Sequence, residues 1–122
     1  MNVLVGIGGS DESVKTLRAT IDRTREVGDD LTIAVMDKPE AKRSQEEMYR
    51  EAESLIAETG FDATLTTLEG DPGSELVNLA ERESFDMLVI GGGTQSPMGK
   101  IRLGPITEFV LLNAPTTVKL IR

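Results

Sequence analysis

Leu88-Val89-Ile90 runs directly into Gly91-Gly92-Gly93-Thr94, and nine residues later Gly104-Pro105-Ile106-Thr107 opens another segment. An apolar strand that breaks into glycines, then a polar loop, then a helix start, is how α/β proteins aim backbone N–H groups at a phosphate. Lys100 and Arg102 lie inside that loop. The chemistry suited to these residue types is the binding of an anion.

The rest of the composition narrows the alternatives. The chain has 122 residues with no Cys and no His. Disulfides, thiolate catalysis, zinc–thiolate sites and the commonest general base are therefore excluded. A net charge of −8 argues against a nucleic-acid partner. The charge is uneven: residues 1–96 carry 20 acids and 9 bases, whereas residues 97–122 carry one acid and four bases. The two loop cations thus sit in an otherwise acidic protein. No apolar run has the length of a membrane span. Met1-Asn2-Val3-Leu4-Val5 has no basic leader, so a single cytoplasmic domain over 1–122 is expected.

The elements that must position the loop alternate regularly. Strands are expected at Val3–Ile7, Leu31–Met36, Phe61–Leu68, Phe85–Ile90 and Thr116–Ile121. Between them lie four helices. The first starts at the N-cap Ser10 and buries Val14, Leu17, Ile21 and Val27. The second covers 41–59 with a thin stripe of Met48, Ala52, Leu55 and Ile56. The third follows Gly70-Asp71-Pro72-Gly73. The fourth has Pro105 as its first residue and buries Ile106, Phe109, Val110 and Leu112. Alternation on this pattern forces a parallel sheet with right-handed crossovers, an open α/β fold of the flavodoxin-like or Rossmann-like type. The third strand is apolar at alternate positions, which suits an outer strand. The fourth is apolar on both faces, which suits an interior one.

In this order and spacing the chain resembles a single-domain universal stress protein. Gly9-Ser10 with an acid-rich helix start, Gly70-Asp71-Pro72, Asp86-Met87-Leu88-Val89-Ile90-Gly91 and Asn113-Ala114-Pro115-Thr116-Thr117-Val118 carry the likeness. The resemblance implies a three-layer fold of the adenine nucleotide alpha hydrolase type, with five parallel strands in the order 3-2-1-4-5. It also implies a homodimer paired through the last strand, Thr117–Ile121, and unidentified protein partners.

Some members of that family bind ATP through Gly, two residues, Gly, nine residues, Gly, then Ser or Thr. Here the spacing is intact, and Gly91 and Gly104 match. Thr94 replaces the second Gly, and Pro105 replaces the hydroxyl residue. Gly8 stands where an Asp would meet ribose. Thr94 adds a Cβ where phosphate approaches the backbone, and Pro105 removes a hydroxyl and an N–H at a helix start. The leading expectation is a stress-response binding or signalling module without strong ATP binding and without a catalytic residue. The alternative is an adenine-nucleotide protein, ATP with Mg²⁺, having at most slow ATPase activity. Gly91, Gly93, Thr94, Ser96, Lys100, Gly104 and Thr107 would then hold the phosphates, Ile7 and Val35 would line the adenine, and Gly8 would lie beside the ribose. A different anion held by Lys100 and Arg102 is the third reading.

Overall fold

In the computed structural model, which describes residues 1–92, 94–95 and 101–122, five strands and four helices alternate along the chain. For Thr94, Gln95, Ile101 and Arg102 only the backbone is described. The elements are β1 (Asn2–Ile7), α1 (Asp11–Val27), β2 (Asp30–Met36), α2 (Gln45–Thr59), β3 (Thr64–Leu68), α3 (Pro72–Arg82) and β4 (Met87–Gly91). A two-residue ribbon follows, β5 (Thr94–Gln95) with β6 (Ile101–Arg102), then α4 (Pro105–Asn113) and β7 (Thr117–Ile121). The main sheet is wholly parallel in the order β3-β2-β1-β4-β7. The expected strand order, the outer position of β3 and the interior position of β4 are all found. The ribbon was not foreseen.

The pleat divides the core. Val3, Val5 and Ile7 of β1 join Ile33, Val35 and Val89 on one face, under Leu17 and Ile21 of α1 and Met48, Ala52 and Leu55 of α2. Leu4, Ala34, Leu88 and Ile90 face the other way, onto Leu76, Val77 and Ala80 of α3 and Val110 of α4. Strands covered on both faces need apolar residues at every position, which is why β1, β2 and β4 read as continuous apolar runs.

Local signals set most helix ends. Ser10 caps α1 by accepting the Ser13 N–H, and Asp71 caps α3 by accepting that of Ser74. Gly28 and Gly60 close α1 and α2 in the left-handed region, at φ 77° and 68°.

Three expectations need correction. Helix α2 starts at Gln45, not at 41, because Ser44 and Glu47 form a reciprocal capping box that fixes the first turn. Val27 is 45% exposed, since the buried face of α1 is carried by Thr16, Thr20 and Thr24 beside Leu17 and Ile21. Each of these hydroxyls donates to a carbonyl four residues back, so burying it leaves no unsatisfied polar atom. Of the four apolar residues expected to be buried on α4, Val110 is fully buried and Ile106 partly so, whereas Phe109 and Leu112 are 38% and 76% exposed.

Candidate functional site

β1 leads rightward through α1 to β2, while β4 and β7 lie on its other side. Strand order therefore reverses between β1 and β4, where open α/β sheets form a crevice beyond the carboxyl ends of their strands. A cavity of about 500 Å³ opens there. Gly91, Gly92, Gly104, Pro105, Ile106 and Thr107 form its β4–α4 side. Glu12, Asp37, Lys38, Pro39 and Glu40 form its β1–β2 side, and Pro72 of α3 completes it.

On the β4–α4 side, contacts fix the glycine wall. A Cβ at Gly91 would fall on the Thr16 hydroxyl, and one at Gly92 would come 2.6 Å from Thr107 Oγ1. Buried Thr107 donates its hydroxyl to the Gly91 carbonyl at 3.1 Å. This bond ties the first turn of α4 to the end of β4. The Gly92 N–H donates to Ile121 O of β7, so it is committed to the protein. Among the described residues, what remains free to bind is the start of α4. Its N-cap, Gly104, offers no side-chain hydrogen bond, and open space surrounds the position of its absent Cβ. α1, α2 and α3 all have a capping side chain. The first-turn N–H groups of Ile106 and Thr107 have no partner inside the helix and carry its positive dipole end. Pro105 between them and the N-cap contributes no N–H.

The β1–β2 side is closed by the chain itself. Gly8 and Gly9 are buried. Lys38 lays its aliphatic stem over Gly8, and a Cβ there would be 2.6 Å from Lys38 Cδ. Arg43 donates its backbone N–H to Gly9 O at 3.0 Å. Its guanidinium pairs with Asp11 at 3.0 Å and Glu51 at 2.7 Å. Lys42 also reaches Asp11, at 3.3 Å. The Arg43 hydrogen bond, helped by Lys42, holds the Asp11 carboxyl below its ordinary range. The segment between β2 and α2 is thus pinned across the β1–α1 turn.

The residues expected at the site are only partly brought together. Gly91, Gly104 and Thr107 line the crevice. Gly8 is buried beneath the Lys38 stem and does not line the cavity. Ile7 and Val35 are fully buried and pack into the α1–α2 core, so their side chains do not line the cavity. Gly93, Ser96 and Lys100 lie outside the described residues, as do the side chains of Thr94 and Arg102. Asp37, Lys38 and Glu40 were missed. Their only signal was position, immediately after β2. Among the described residues no group of three His, Cys, Asp or Glu could hold a metal ion, and no helix is long and apolar enough to cross a membrane.

The family model described as "Universal stress protein family" matches residues 1–122. The chain belongs to the universal stress protein family. Among curated relatives, a universal stress protein of Methanothermobacter thermautotrophicus is 44% identical over 54 residues. That match covers 44% of this chain and 36% of the relative. Stress response protein NhaX of Bacillus subtilis is 24% identical, over 98% of this chain and 96% of its own length. A solved universal stress protein in complex with cAMP is 27% identical, with a TM-score of 0.78 over 100% of this chain and 96% of that one.

Proposed function

We propose that this universal stress protein is a binding module that takes a nucleoside monophosphate in the β1/β4 crevice, with ATP bound weakly, and that it is not a catalyst. The observation that carries the reading is the uncapped N-terminus of α4 opening on a cavity of about 500 Å³. The two open amides, Ile106 and Thr107, suit one phosphate group. Further phosphates would find Gly92's N–H already used and would approach Glu12, Asp37 and Glu40 across the crevice. Like charges in a partly enclosed cleft repel. The solved relative with cAMP, also a monophosphate, supports the same ligand class. Isothermal titration calorimetry on nucleotide-free protein should give AMP a one-to-one dissociation constant about tenfold or more below that of ATP with Mg²⁺. ATP binding tighter than AMP would overturn the preference, and no heat from either up to millimolar concentration would overturn the reading.

The signal would pass to other proteins through the assembled form. Among the described residues β7 pairs only with β4, which leaves its outer edge open, with Thr117 to Ile121 half-buried or exposed. An open edge of five residues is a template for pairing with another strand. A second copy, paired edge to edge about a two-fold axis, is the occupant we infer. Sedimentation equilibrium should then report about twice the chain mass of 13.2 kDa. A monomer at micromolar concentration would remove this edge from consideration.

A further inference from the structure

The crevice has two unlike walls, and the difference bears on which sugar it accepts. One wall offers backbone amides at the start of α4, and the other offers carboxylates. We propose that Asp37 is the specificity-determining residue of this site and that it accepts the ribose hydroxyls of the bound ribonucleotide. This rests on the nucleotide reading above.

Three observations single out Asp37. First, the turn after β1 supplies no side-chain acceptor at Gly8 or Gly9. Gly8 and Gly9 have no side chains, and the space a side chain would take is filled by the Lys38 stem at the first and the Arg43 backbone at the second. Second, Asp37 is the residue immediately after β2, the strand hydrogen-bonded beside β1 with Ile7 opposite Val35. A carboxylate at the end of the second strand of a βαβ unit is placed to take a ribose diol, while the phosphate sits on a helix N-terminus at the strand-order reversal. Third, Asp37 is half-buried, whereas Glu12 and Glu40 are exposed, and among the described residues it forms no ion pair and accepts no hydrogen bond. Among the described residues its acceptor capacity is therefore uncommitted. An ionised carboxylate accepts and does not donate, so it matches free hydroxyls and opposes a phosphate at the same place.

The consequence is a selectivity that can be measured on the full chain. Wild-type protein should bind AMP about tenfold or more tightly than 2′-deoxyadenosine 5′-monophosphate, the range for a hydrogen bond to a charged acceptor. Adenosine 2′,5′-bisphosphate should bind more weakly than either. Asp37→Ala should lower AMP affinity to that of the deoxynucleotide and leave the deoxynucleotide nearly unchanged. It should also recover part of the bisphosphate binding. Asp37→Asn, which keeps the shape and one acceptor oxygen, should fall between. A general loss of fold would weaken all three ligands together, and thermal melting of each variant separates that case. Equal binding of AMP and the deoxynucleotide by wild-type protein would overturn the assignment and leave the nucleotide reading standing. So would an Asp37→Ala variant that weakens both alike while melting as wild type. Failure of all three ligands to bind would overturn both.

Discussion

Gly9→Ala should lower stability by about 3 kcal/mol and the melting temperature by about 10 °C. The added Cβ would fall on the Arg43 carbonyl oxygen, with the Arg43 carbonyl carbon at 2.8 Å and its nitrogen at 3.0 Å. These are backbone atoms, so no rotamer change relieves the clash. The 37–44 segment must lift as a unit. Lifting it breaks the Arg43 N–H bond to Gly9 O and the second bond to that oxygen from the guanidinium, 3.3 Å long. Each is worth about 0.5–1.5 kcal/mol net, and the rest of the cost is overpacking. Gly28→Ala provides the comparison. Its φ of +77° is strained for alanine, but nothing lies within 4 Å of the added atom. It should cost only about 1 kcal/mol. Urea unfolding of both variants measures the difference. A Gly9 variant no worse than the Gly28 variant would mean that the segment is not held against the turn. Because Lys38 and Asp37 travel with that segment, Gly9→Ala should also weaken nucleotide binding.

The fold was legible because it rests on local patterning. Continuous apolar runs at β1, β2 and β4, alternation at β3, and glycine at both positive-φ helix ends are properties of short windows, and the alternation of elements then leaves few topologies. The site was legible on one side only. Gly91, Gly104 and Thr107 could be found because the glycine spacing is local. The opposite wall could not. The contact between Gly9 and Arg43 joins residues 34 apart, and no period or motif encodes it. After the break at 37–39, residues 41–44 carry charges that continue the pattern of the helix. The Ser44-x-x-Glu47 capping box is the local signal that places the helix start at Gln45 instead. Ile7 and Val35 illustrate the reverse error. Ile7 ends β1 and Val35 is next to last in β2, close to the crevice, but the pleat turns their side chains toward α1 and α2. α4 is a separate case: Ile106, Phe109, Val110, Leu111 and Leu112 spread over several sides of a nine-residue helix, so sequence alone does not say which side meets α3.

The two sides of the site differ in how they are held. The β4–α4 wall is built on a strand end and a helix start, joined by the Thr107–Gly91 bond, and gives a fixed pair of amides. The β1–β2 wall is a segment fastened by a backbone bond and by ion pairs to Asp11, 69% exposed, and Glu51, 34% exposed. Exposed pairs weaken with salt, whereas a buried hydroxyl bond does not. Phosphate affinity should therefore be set by the first wall and sugar choice by the second. A binding module can change its ligand by altering that second wall without disturbing its core.

That core makes the second large prediction, in which one substitution changes sign with its background. Gly6 is the next-to-last residue of β1, paired with Ala34 on one side and Ile90 on the other. A Cβ there would come 2.5 Å from Leu76 Cδ2 and 3.0 Å from Cδ1. Leu76 is fully buried in α3, so its side chain has little room to retreat. Gly6→Ala should cost about 1–3 kcal/mol. Leu76→Ala alone should cost about 3 kcal/mol or more, from lost burial and the cavity left behind. With Leu76 truncated, the space that Gly6 protects is empty. The Gly6 methyl then fills part of the cavity, and the strand also gains the roughly 0.5–1 kcal/mol by which alanine exceeds glycine in a regular element. Gly6→Ala should therefore stabilise the Leu76→Ala protein while destabilising the wild type. Four urea unfolding curves complete the cycle, with an expected coupling of about 2 kcal/mol, within the range for residues in contact. Additive costs would mean that α3 shifts to accommodate the methyl, and the packing of α3 on β1 would then not be what requires glycine at position 6.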